Sequence, residues 1–133
     1  MEKATCSCGK IEIIIEGEPA NTCFCYCSEC QKLTGSDKGF VAHFPEKSVS
    51  LSKGSPSKFS RMGSSGKRVT YSFCSTCGSM VFGKAETLPF VSVPVPRLEN
   101  PNNYQPKMAI YTASAPSWAV FNNEIPNFKQ GPA

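Results

Sequence analysis

No stretch of this sequence stays apolar long enough to cross a bilayer, which argues against a helical membrane protein. Nor does an apolar run precede the first cysteine. Met1-Glu2-Lys3-Ala4-Thr5 has none of the character of a secretory signal, so a reducing cytoplasm is expected, with the nucleus as the next candidate. Charged residues are scarce at 18%, and no Lys/Arg run exceeds the pair Lys67-Arg68. A formal charge of +4 spread this thinly favours small anionic ligands and gives no nucleic-acid footprint. There is one histidine, His43, in a strand-like run. It reads as a partly buried or surface imidazole, its other uses being a fourth metal ligand or a proton shuttle. Long helices are also missing from the pattern, because 11 prolines and 10 glycines among 133 residues suit short strands joined by tight turns. At this length residues 1–133 read as a single domain, with a motif-bearing core over 5–118 and a C-terminal tail over 119–133.

The fold class expected from this reading is mainly β. Lys10 to Gly17 is rich in β-branched residues and sets Glu12 and Glu16 on a wetter face. Gly39 to Phe44 and Ser48 to Leu51 read as strands on either side of Pro45, and Ser52 to Pro56 as a turn-rich connector. Lys67 to Phe73 and Ser79 to Phe82 form a hairpin-like pair with Cys74 to Gly78 as the turn, followed by strands at Phe90 to Val95 and Met108 to Tyr111. A short helix is expected between Cys27 and Thr34, stopping at Gly35. Arg97 to Pro106 reads as a surface loop, and the tail from Pro116 as held by Trp118 and Phe121 packing back on the body. Core or lid packing is the expected use of Tyr111, Trp118 and Phe121.

What the chain does have is eight cysteines in three tight groups: Cys6-Ser7-Cys8, Cys23-Phe24-Cys25-Tyr26-Cys27-Ser28-Glu29-Cys30, and Cys74-Ser75-Thr76-Cys77. Thiolates one or two residues apart can grip a single ion as the backbone turns around it, and zinc is the metal this donor set favours over iron. A disulfide framework is the alternative, but Cys-x-Cys in extended backbone resists the geometry that the bond requires. Cys74-x-x-Cys77-Gly78 has the form of a zinc knuckle, and Cys6-x-Cys8-Gly9 supplies the other half of a closed, structural four-thiolate site. The middle group differs. Alternation along a strand can align Cys23, Cys25 and Cys27, with Cys30 folding in from the next turn. Three ligands would leave a position open for water or substrate, and four would close the ion off. Whether Cys23 points in decides between a catalytic and a purely structural centre.

The order Cys-x-Cys-Gly, Cys-x-Cys-x-x-Cys with a following Thr-Gly, Phe-Cys-x-x-Cys-Gly and a late Trp resembles the glutathione-dependent formaldehyde-activating enzymes, a family that includes centromere protein V. The resemblance runs from about Thr5 to Trp118. It implies several small coiled antiparallel β-sheets organised around two zinc ions. One, structural, would be held by Cys6, Cys8, Cys74 and Cys77, and one, catalytic, by Cys25, Cys27 and Cys30, leaving Cys23 outside the pattern. It implies a carbon-sulfur lyase that joins a small aldehyde, formaldehyde, to a thiol, glutathione. A non-catalytic zinc-binding or chromatin-associated module is the alternative, with neither membrane nor nucleic acid expected as a partner. The histidine that often stands between the first two cysteines of the middle motif is Tyr26 here. Cationic residues are expected to hold the tripeptide's carboxylates, Lys32 being nearest the motif and Arg61, Lys67 and Arg68 further candidates.

Overall fold

A computed structural model describes residues 1–63 and 66–131. It is mainly β, with one α-helix and two sheets. In chain order the strands are β1 (Glu2–Thr5), β2 (Glu12–Ile15), β3 (Asn21–Cys25), β4 (Gly39–Pro45), β5 (Val49–Lys53), β6 (Ser57–Met62), β7 (Arg68–Phe73), β8 (Met80–Ala85), β9 (Phe90–Pro94) and β10 (Met108–Ile110). The helix α1 (Ser28–Thr34) lies between β3 and β4. Strands β1, β2 and β5 form a three-stranded sheet, and the other seven run in the order β10-β3-β4-β9-β8-β7-β6. Every pairing is antiparallel except β10 with β3, which is parallel.

The core forms where alternating residues of the two sheets meet. Ile13 and Ile15 of β2 pack with Ala42 and Phe44 of β4, Val81 of β8, and Val91 and Val93 of β9. Alternation then sets the neighbours Gly39, Val41 and His43 of β4 on the opposite face of the large sheet. The register pairs Cys25 with Gly39 and Cys23 with Val41, so both cysteines project from that same opposite face. Helix α1 stands beside it. Its start is capped by Cys27, whose sulfur accepts the Cys30 amide at 3.3 Å, and Gly35 ends it in the left-handed conformation at φ 69°.

Several local expectations shift. The strand expected from Lys10 begins at Glu12, because the preceding residues turn back around Cys6: its amide donates to the Ile11 carbonyl at 3.2 Å and its sulfur accepts the Ile11 amide at 3.3 Å. Strands β1 and β6 were not expected. Trp118 does not pack on the body; it is 67% exposed, and Phe121 alone meets it, edge-on against Tyr26 at 5.0 Å. The tail returns to β10 instead, through Ala109 N–H to the Pro126 carbonyl and Phe128 N–H to the Ala109 carbonyl, both at 2.9 Å. Among the described residues no helix is long and apolar enough to cross a membrane.

Candidate metal centres and the adjoining cleft

Seven of the eight cysteines gather into two groups, and all eight are free thiols. Cys6 and Cys8 come from the turn after β1, and Cys74 and Cys77 from the turn between β7 and β8. Their four sulfurs lie within 4.8 Å of one another, with Cys8 3.7 Å from both Cys6 and Cys74. A tetrahedron with zinc-sulfur bonds of about 2.3 Å has edges of about 3.8 Å, so this donor set fits a four-thiolate zinc site. A disulfide would need sulfurs about 2.05 Å apart. Local backbone prepares the fit. Gly78, at φ 76°, turns its amide back to the Cys74 carbonyl at 2.7 Å, and Gly9, at φ 79°, does the same to Cys6 at 3.2 Å. Ser79 joins the two turns, its hydroxyl accepting the Ser7 amide at 3.3 Å and lying 3.4 Å from Cys77 Sγ. That hydroxyl, with the Ser79 and Cys8 amides, pulls the Cys77 thiol down to about 5. Cys6 and Cys74 are themselves part of the core.

The second group is Cys25, Cys27 and Cys30, whose sulfurs also lie within 4.8 Å of one another. Three chain segments bring them there: the end of β3, the helix cap and the first turn of α1. Thiols this close share charge. Hydrogen bonds from the Cys25 and Cys30 thiols and from the Cys30 and Glu29 amides draw the Cys27 thiol far down. The hydrogen bond to Cys27 holds Cys25 up, and those to Cys25 and Cys27 hold Cys30 up, both as protonated thiols, with burial adding to the effect. A divalent cation is the natural counter-charge for three such sulfurs, and the donor set suits zinc with one position left over.

Cys23 and His43 both fall outside this group. Cys23 is fully buried between the partners Val41 and Met108, and burial is the main reason its thiol is pushed up to about 12. His43 sits opposite Asn21 and Ser92, four residues along β4 from Gly39, roughly 13 Å at strand spacing. Burial lowers its pKa.

Helix α1 buries no residue of its own, so polar ties fix it. Gln31 Nε2 donates to the Tyr26 carbonyl at 2.8 Å and to the Ser114 carbonyl at 3.0 Å. Glu29 pairs with Arg61 at 3.1 Å, and Arg61 Nε also donates to the Tyr71 hydroxyl at 3.0 Å. Arg61 is thereby committed to the helix, while Lys32, Lys67 and Arg68 are exposed. Beside Cys30 opens a cleft of about 420 Å³, walled by Phe40, Val41, Pro94 and Pro96 and flanked by Lys38 and Arg97. Neither cation was singled out from the sequence. Glycine at 39 keeps the wall low, since a Cβ there would lie 3.6 Å from Cys30 Sγ.

Residues 1–114 match the glutathione-dependent formaldehyde-activating enzyme family. The chain belongs to that family. A crystal structure of a Rhodobacter sphaeroides protein is similar in fold, with a TM-score of 0.58 at 25% identity, over 73% of this chain and 87% of the other. No curated protein matches the sequence. The family assignment agrees with the two cysteine groups, since it was these motifs that carried the resemblance.

Proposed function

We propose that this family member is a zinc-dependent carbon-sulfur lyase that adds a thiol of the glutathione type to a small aldehyde and reverses the addition. Cys6, Cys8, Cys74 and Cys77 hold a structural ion, and Cys25, Cys27 and Cys30 hold a catalytic one. The observation that carries the reading is the contrast between the two sulfur groups: four donors in one, three beside a cleft in the other. Cys23, the only further thiol on that strand, lies outside the second group, which counts against a fully sulfur-enclosed centre. Eight free thiols suit a reducing cytoplasm.

Cys25, Cys27 and Cys30 would hold the zinc ion, which would supply Lewis acidity to stabilise a thiolate or an aldehyde oxygen. The protein's own contribution is placement. The Cys30 amide and the cap position of Cys27 fix one sulfur, and the Glu29–Arg61–Tyr71 chain and the Gln31 ties hold the helix that carries Cys30. In the addition a carbon-sulfur bond forms, the carbonyl π bond breaks, and the proton leaving sulfur ends on oxygen. Thiols ionise near pH 8.5, so stabilising the thiolate at neutral pH raises the reactive fraction. Phe40, Val41, Pro94 and Pro96 give the cleft an apolar wall against which the reacting carbon can lie.

The test is hemithioacetal exchange between glutathione and formaldehyde with zinc-loaded protein. Cys27→Ala should bring the rate down to that of the uncatalysed reaction. Equal rates with and without the substitution would end the enzymatic reading.

A further inference from the structure

We infer that Arg97 reads a carboxylate of the thiol bound in the cleft beside Cys30, so that acidic thiols are selected over neutral ones; this rests on the cleft's assignment as the thiol site. The sequence places Arg97 at the start of a loop after β9, where nothing marks it out from the other cations. The strand register moves it to the site. Val41 pairs with Pro94, the last residue of β9, and stands two residues along β4 from Gly39, whose partner on β3 is Cys25. The 3-10 turn Val95–Arg97 therefore passes the end of the sheet that carries the cysteines, and Cys30 and Arg97 line one cleft.

Of the two cations flanking the cleft, Lys38 is already engaged. Its Nζ is 3.3 Å from Asp37 Oδ2 and lies over the rings of Phe24 and Tyr26 at 5.1 and 5.5 Å. Arg97 has no carboxylate within ion-pair distance among the described residues. One donor, Nε, is tied to the Met80 carbonyl at 3.1 Å. That bond orients the guanidinium and leaves its two terminal amino groups, the pair that grips a carboxylate through two parallel hydrogen bonds. The hydroxyls in the lining are spent within the loop, Thr34 on the Cys30 and Lys38 carbonyls and Ser36 on Lys38. The cleft thus offers sulfur chemistry at one wall, an apolar middle and an oriented cation at another. At about 420 Å³ it falls within the range of small-molecule sites, about 300–1,000 Å³.

The experiment compares glutathione with its diethyl ester, in which both carboxylates are masked, using zinc-loaded wild type, Arg97→Gln and Arg97→Lys. For Arg97→Gln the KM for glutathione should rise at least tenfold with kcat little changed, while the KM for the ester stays put. Arg97→Lys should fall between. Equal losses for acid and ester, or a wild type that does not distinguish them, would overturn the inference while leaving the lyase reading intact. If neither thiol is turned over, the lyase reading fails by itself, and calorimetry with S-methylglutathione decides on Arg97. Weaker binding by Arg97→Gln than by wild type upholds its role; equal or absent binding in both removes it.

Discussion

Loss of the four-cysteine centre should destabilise this protein more than twice as much as loss of the three-cysteine centre. Cys8 and Cys74 are 66 residues apart in sequence and 3.7 Å apart at sulfur. An ion joining them closes a loop of that length, and the chain-entropy expression for a cross-link gives about 4.4 kcal/mol at 25 °C for 66 residues. For the handful of residues between Cys25 and Cys30 the same expression gives only about 2 kcal/mol. The two also differ in setting, because Cys6 and Cys74 belong to the core that joins the sheets, whereas the trio lies on the opposite face under a helix with no buried residue. At roughly 3–5 °C per kcal/mol for a chain of this size, Cys8→Ser should lower the melting temperature by roughly 13–22 °C. Cys27→Ala should lower it by less than half as much. Calorimetric scans paired with zinc analysis provide the assay, each variant being expected to bind one ion fewer than wild type. The reasoning fails if Cys8→Ser loses its ion and still melts within a few degrees of wild type, or if both variants fall equally.

Zinc affinity of the trio should rise with pH. In the metal-free protein Cys25 and Cys30 are held as thiols and Cys27 as thiolate, so loading must expel two protons, and affinity should climb by up to about two log units per pH unit near neutrality; calorimetry of Cys8→Ser or wild type in buffers of different ionisation enthalpy counts the protons, and none released would refute it. Gly39→Ala should be tolerated, its new methyl making ordinary 3.6 Å contact with Cys30, whereas Gly39→Val should weaken thiol binding at least tenfold by crowding that sulfur; equal KM values for glutathione in both variants would count against the cleft. Arg61→Gln removes a part-exposed ion pair worth under about 1 kcal/mol, so urea unfolding should change little. Trp118→Ala should alter stability by no more than about 0.5 kcal/mol, since the ring is mostly in solvent, while Phe121→Ala should cost more through its lost contact with Tyr26.

The cysteine spacing made both cysteine groups legible because each half is local: Cys-x-Cys and Cys-x-x-Cys record their own turns. The helix was legible for the same reason, with a run of good helix formers and Gly35 all within nine positions of Cys27, although the cap at Cys27 was not. Long-range pairing was not. β1 reads Glu-Lys-Ala-Thr, without apolar alternation, and is a strand through its antiparallel ladder with β2, with Glu2 turned inward and its carboxylate accepting from Tyr104 at 3.3 Å and Asn100 at 3.4 Å. β6 reads Ser-Lys-Phe-Ser-Arg-Met and stays largely exposed, an edge strand held by its register with β7. Partners a hundred residues away leave no trace in a local pattern. Arg97 belongs with these, since the β4–β9 pairing ends at Pro94 and the 3-10 turn that follows carries Arg97 to the wall of the cleft.

The two faces of the seven-stranded sheet divide the work. Period-two alternation sends Ala42 and Phe44 into the core and Gly39 and Val41 outward, and β3 repeats the pattern by sending Cys23 and Cys25 outward beside them. A thiol facing outward in the middle of the sheet, as Cys23 does, is covered by neighbours on both sides and stays protonated. A thiol two residues on, at the strand's end, meets the helix that supplies Cys27 and Cys30. Strand position alone therefore sorts two chemically identical residues into a packed thiol and a candidate ligand. Moving the ligand back should not work: in Cys25→Ser, Cys23 cannot reach the group unless β3 slides by two residues, which would break its ladders with both β4 and β10. The Cys25→Ser protein should accordingly lose the second zinc despite the spare thiol, as metal analysis would show, and retention of both ions would mean that β3 is free to slide.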